Sequence, residues 1–130
     1  MDAHVNPLLT EWDRPFGLPP FECIEPRHFR PALEHAMRMH RIELAAVASD
    51  PSPPDFDNTI AAFDRSGELL ERIEAVFDGL TASATSPELQ AVQRALAAPL
   101  AAHWSAVQQD VALFERLDTC LLYTSDAADE

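Results

Sequence analysis

Apolar residues recur along most of this chain at three- and four-residue steps, the spacing of one face of a helix. Between about His28 and Ser49 the stripe is Phe29, Leu33, Ala36, Met37, His40, Leu44 and Val47. Proline is compatible only with the first helical turn, so Pro31 sets the start of the continuous helix. Asp50-Pro51-Ser52-Pro53-Pro54 ends it in a short stiff turn. A second stripe, Phe56, Ile60, Phe63, Gly67, Leu70, Ile73, Phe77 and Leu80, predicts a helix from about Phe56 to Ala82, capped by Asp55 or Asp57. Gly67 costs about 1 kcal/mol relative to Ala in a helix interior. Two reasons for it stay open: close approach of a neighbouring helix, or a kink at Ser66-Gly67. Glu34 with Arg38 and Glu68 with Arg72 stand at i, i+4 in the favourable order.

The third helix has the best-marked start, with Ser86 as N-cap, Pro87 at the first helical position and Glu88 at the positive end. Leu89, Val92, Leu96, Leu100, His103 and Val107 continue its stripe, and Pro99 should bend it. A further short turn, Val111 to Leu117, follows Asp110.

Ahead of the helices the rhythm is lost. Six of the eleven prolines lie in the first 31 residues, interleaved with Leu8, Leu9, Trp12, Phe16, Leu18, Phe21, Ile24 and Phe29. A free linker does not carry so many large apolar groups, so residues 1–30 read as an extended arm laid on a folded body, each apolar residue in a shallow pocket. No strand pattern occurs. The expectation is an all-α fold of antiparallel helices preceded by a Pro-rich arm. Three helices leave one side of a bundle poorly covered, so the stripes call for partners beyond the segment.

Charge narrows the classes of function. Nine basic residues, all Arg, face 22 acidic ones for a net charge of −13. That disfavours nucleic acid and anionic membranes as partners. A 47% hydrophobic content is too high for a disordered acidic tail. No apolar run is long enough to span a bilayer, and the N-terminus lacks a signal-peptide pattern, so a cytoplasmic location is expected. Residues 120–130, Cys-Leu-Leu-Tyr-Thr-Ser-Asp-Ala-Ala-Asp-Glu, break from the preceding Ala/Leu/Arg/Glu texture. They match, residue by residue, one reading frame of a common transposase-type sequencing adapter, and are expected to be a non-native tail. Residues 31–119 are then an incomplete helical region. Cys23 is its one cysteine, which fits a reducing compartment and leaves no internal disulfide.

Candidate chemistry is sparse. His-Glu-x-x-His, which puts two imidazoles on one helical face around zinc, is absent. His35 and His40 stand about 140° apart on a helix and cannot share a metal. His40 and His103 lie on apolar stripes and read as packed, hydrogen-bonded core residues. Glu25-x-x-His28 has the spacing of a di-iron half-site, but the second copy is missing, since Leu100 stands three residues before His103. Cys23, among carboxylates, is disfavoured as a thiolate and reads as a buried small side chain rather than a nucleophile. Glu68, Glu71, Glu74 and Asp78 read as a solvated helix face rather than a calcium site. No catalytic, metal or cofactor-binding residue is assigned.

Several runs in order nonetheless carry a resemblance. Asn6-Pro7-Leu8-Leu9, Pro15-Phe16-Gly17-Leu18-Pro19-Pro20-Phe21 and Ile24-Glu25-Pro26-Arg27-His28-Phe29-Arg30-Pro31-Ala32 are similar to the N-terminus of the thimet-oligopeptidase-type zinc metallopeptidases. So is Pro54-Asp55-Phe56-Asp57-Asn58-Thr59-Ile60-Ala61-Ala62-Phe63-Asp64-Arg65-Ser66-Gly67, followed by Ser86-Pro87-Glu88-Leu89-Gln90 and Leu113-Phe114-Glu115-Arg116-Leu117. The chain resembles the bacterial peptidyl-dipeptidase branch more than the oligopeptidase A branch. Val111, where the family often has Pro, and Trp104 depart from its pattern. The resemblance implies a large two-lobed helical parent that uses zinc to release C-terminal dipeptides from short peptides. It also implies that this chain is an N-terminal fragment whose main partner is the remainder of the same polypeptide. None of the zinc or catalytic residues of that family falls within these 130 residues, so the fragment is expected to be inactive alone. A reading from another class is a free-standing acidic helical module that binds partner helices.

Overall fold

A computed structural model describes the backbone of residues 6–128 and the side chains of residues 6–122. Part of the expected arm, residues 1–5, and the end of the expected non-native tail therefore lie outside the described residues. Helices make up all the regular structure among the described residues: α1 Pro26–Ala48, a π-helical turn Phe56–Ala61 leading into α2 Ala62–Arg65, α3 Glu68–Ser83, α4 Pro87–Gln108 and α5 Val111–Ala128. The architecture is all-α, as the periodicity requires.

α1 starts five residues before the expected position. Pro26 takes the first-turn site, and Pro31 sits inside the helix without ending it. The reason is the start at Glu25: its backbone N–H donates to His28 Nδ1 at 2.9 Å, while the His28 N–H donates to the Glu25 carbonyl at 2.9 Å. Two of the orphan donors of a helix start are thereby satisfied. All seven residues of the α1 stripe are buried. Glu34 pairs with Arg30 one turn earlier (3.1 Å) instead of with Arg38.

The expected single helix over 56–82 is interrupted. Asp55 and Asn58 cap its start reciprocally, at 2.7 and 2.8 Å. Ser66 and Gly67 then separate α2 from α3, with Gly67 in the left-handed region at φ 78°. At the other end, α5 extends far past Leu117 and takes in residues 120–128 as a continuation of one helix, with Cys120 buried. Ser86 Oγ accepts from the Leu89 N–H at 3.1 Å at the start of α4, and Asp110 Oδ1 accepts from the Leu113 N–H at 3.1 Å at the start of α5.

The arm docks only in part. Asn6 Nδ2 donates to the His28 carbonyl at 2.8 Å, which seats Leu8 in the core with no exposed surface. Trp12 lies under the Arg72 guanidinium, 4.4 Å from its carbon to the ring centroid, so Arg72 serves the arm rather than a Glu68 pair. Between Trp12 and Ile24 two short turns, Pro15–Gly17 and Phe21–Cys23, curl outward, tied by an Arg14–Glu22 ion pair. Phe16 is 99% exposed, and Leu18 and Phe21 are half exposed, contrary to the expectation of one pocket for each.

Two clusters share α1. The first unites Leu8 with Phe29, Leu33 and Met37 of α1, Leu70, Ile73 and Phe77 of α3, and Leu89 and Leu96 of α4. Phe29 and Phe77 pack with ring centroids 4.9 Å apart. The second is thin: Leu44, Val47 and Leu113 are its buried members, with Phe63, Val107 and Leu117 partly covered beside them. Arg116 closes that end, donating from Nη1 to the Asp50 carbonyl and from Nη2 to the Ser52 carbonyl, both at 2.9 Å.

Candidate functional site

Among the described residues, His40, Ser66 and His103 bring buried polar groups to where α1, α4 and the Gly67 joint meet. His40 sits midway along α1 and His103 near the end of α4, both on apolar stripes and both about 95% buried. Their rings meet, with His40 Nδ1 2.8 Å from His103 Nε2. One nitrogen must donate and the other accept. His103 Nδ1 is buried without a partner. A bare ring nitrogen there costs less than an N–H without an acceptor, so the economical arrangement has His103 Nε2–H donating to His40 Nδ1. Trp104 packs against both rings at 5.3 and 5.4 Å, and its indole N–H donates to Glu74 Oε1 at 3.0 Å. Sequence periodicity places each histidine on its own stripe but says nothing of their meeting across 63 residues.

Burial disfavours the charged form of each ionisable group in this cluster. Burial holds His40 below its ordinary pKa of 6.5; burial, then His40 and Arg41, do the same to His103. His28 is also lowered, first by burial and then by Arg27, with Glu25 pulling the other way. Burial raises Glu74 above 4.5, opposed by the Trp104 hydrogen bond and reinforced by Asp78 and Glu71. Glu74 is thus turned inward as the anchor of Trp104 and leaves the solvated face expected of it, whereas Glu68, Glu71 and Asp78 are exposed.

The signs give a testable profile. A histidine with a lowered folded pKa binds fewer protons when folded than when unfolded, so stability falls as pH drops through 6.5 toward the folded values. Glu74 acts oppositely: its raised value costs stability as pH rises from 4.5. The three histidines all pull the same way in this range, and a protonated His28 Nδ1 cannot accept the Glu25 N–H. The melting temperature is expected to fall steadily between pH 7.5 and 5.5, and a flat profile would contradict the assignment.

The other sequence candidates are dispersed. His35 lies apart from the pair and half-buried. Glu25 and His28 form the helix start described above, a role that their i, i+3 spacing also fits. Cys23 is exposed, because the Phe21–Cys23 turn faces outward, which corrects the expectation of a buried side chain. Among the described residues no group of three or more His, Cys, Asp or Glu is arranged to hold a metal ion. Two imidazoles already bonded to each other do not fit a zinc site. The pair can pass a proton between two rings and fix α1 against α4.

One surface feature is also distinctive. An open groove of ≈ 710 Å³ runs along the second cluster, walled by Ile60, Phe63, Val111, Phe114, Leu117 and Leu121 and edged by Asp110, Glu115 and Asp118. No helix among the described residues is long and apolar enough to cross a membrane.

No family model matches the chain. Among curated proteins it is similar to dipeptidyl carboxypeptidase of Salmonella typhimurium, 41% identical over 114 residues, which are 88% of this chain and 17% of that protein. Dipeptidyl carboxypeptidase of Escherichia coli is 40% identical over the same length and shares. Oligopeptidase A of Salmonella typhimurium is 33% identical over 86 residues, 66% of this chain and 12% of that protein. The chain therefore spans about one sixth of the length of the curated relatives it matches. Over that stretch it carries a segment of the peptidase family that includes dipeptidyl carboxypeptidase and oligopeptidase A, with the greater identity to the former.

Proposed function

We propose that this chain is the front part of a cytoplasmic zinc peptidyl-dipeptidase that removes dipeptides from the C-termini of short peptides. The observation that carries this reading is the 41% identity to a dipeptidyl carboxypeptidase over 88% of the chain. With α1 beginning at Pro26, residues 1–25 serve as the arm, residues 26–119 as the first helices of the lobe roofing the substrate channel, and residues 120–130 as a non-native tail. The donor set among the described residues does not fit zinc, which assigns the metal and the catalytic groups to the remainder of the parent. The role of these helices is architectural: they narrow entry to unfolded peptides.

The test is to read the coding DNA past codon 119 in an intact clone and to assay the encoded protein on a short peptide. A downstream His-Glu-x-x-His and dipeptide release abolished by a chelator are expected, with no turnover by the 130-residue chain. Turnover by that chain with added zinc would overturn its assignment as an inert piece. A stop codon directly after residue 119 would favour a free-standing interaction module instead.

A further inference from the structure

The groove beside α5 has a chemistry that selects its occupant. Its walls include Ile60, Phe63, Val111 and Phe114, and the last two are 68% and 43% exposed. Its charged lining residues are Asp110, Glu115 and Asp118, three carboxylates with no cation among them. Arg116 on α5 does not line the groove, and the carbonyls of Asp50 and Ser52 hold its guanidinium. The cluster beneath is thin among the described residues, with three buried members against eleven in the first. An apolar trough with an acidic border fits a helix whose apolar stripe is flanked by Arg or Lys.

We propose that such a basic-flanked amphipathic helix seats in this groove and that it comes from the native polypeptide beyond residue 119. The source rests on the reading of the chain as part of a longer peptidase, since it spans only 17% of its relative. A second copy is the poorer occupant. Each copy carries a net charge of −13, and a symmetric pairing would set carboxylate border against carboxylate border.

Two measurements test the inference. The 130-residue chain is titrated with a helical peptide of about eighteen residues bearing a Leu stripe flanked by Arg, and with a twin carrying Glu for each Arg. Saturable binding about tenfold tighter for the Arg peptide is expected, weakened about tenfold by Phe114→Ser. Equal binding of both twins, no binding of the Arg peptide, or a stable dimer of the chain at the peptide-binding concentrations would overturn it. The source is tested by thiol labelling of Val111→Cys, expected to be about tenfold slower in the intact polypeptide than in the 130-residue chain. Equal rates, or an intact gene that ends here, would refute an occupant from the same polypeptide. Dipeptide release by the intact polypeptide is assayed separately. A protected Val111→Cys in a protein without peptidase activity would sink the functional reading and leave the groove assignment standing.

Discussion

Gly67→Ala is expected to destabilise the protein by about 3 kcal/mol, on the order of 10 °C in melting temperature. The backbone there has φ 78°, where a side chain costs about 1–2 kcal/mol. The added Cβ would also stand 2.8 Å from His40 Nε2 and 2.9 and 3.0 Å from two ring carbons. That ring cannot simply yield, because His103 Nε2 holds its Nδ1 at 2.8 Å and Trp104 packs beside it. Gly79→Ala is the control, since a Cβ there meets nothing within 4 Å inside α3. It should stabilise by about 0.5–1 kcal/mol through helix propensity. Thermal melts of the two variants should move in opposite directions. In a His40→Ala background the penalty at residue 67 should shrink to the backbone share alone, about 1–2 kcal/mol. Equal melting temperatures for Gly67→Ala and Gly79→Ala would refute the close approach.

Phe29→Ala should cost still more, about 4 kcal/mol, and leave little folded protein in mild denaturant. Phe29 is 1% exposed and its ring packs at 4.9 Å on Phe77, so truncation opens a void where arm, α1 and α3 converge. The carbonyl of its neighbour His28 also receives the Asn6 side chain, which couples the loss to arm docking. Phe16→Ala, in the same aromatic-rich region of sequence, should change stability by less than about 0.5 kcal/mol because that ring is 99% exposed. Urea unfolding of both variants distinguishes a phenylalanine that holds the arm from one that does not.

These contrasts mark where sequence reading succeeds. The seven-residue stripe of α1 is legible because uninterrupted three- and four-residue spacing has one physical solution, a buried helix face. The break at Gly67 is not settled by the same method. Phe63, Gly67 and Leu70 keep three- and four-residue spacing across it, so an extended Ser66 and a left-handed Gly67 between two helices leave the sequence period intact. Both open readings of that glycine hold at once: the chain breaks there, and a histidine packs against it. The arm shows the opposite failure, since counting large apolar residues cannot tell Leu8, which an Asn6 hydrogen bond seats, from Phe16, which two outward turns expose. Nor can position on a stripe reveal that His40 and His103 face each other. That meeting depends on how α4 crosses α1, which no local pattern encodes.

Arg116 has a bearing on the order in which the molecule assembles. Its guanidinium closes the turn after α1 from 66 residues further on, so during synthesis those carbonyls stay with water until the last helix has emerged. The first cluster is complete once Leu96 is available, whereas the second waits for Leu113. The shared helix therefore acts as a template used twice, first at its beginning and later at its end. A ribosome paused between those two points would hold a protein with one finished half and one helix end still open.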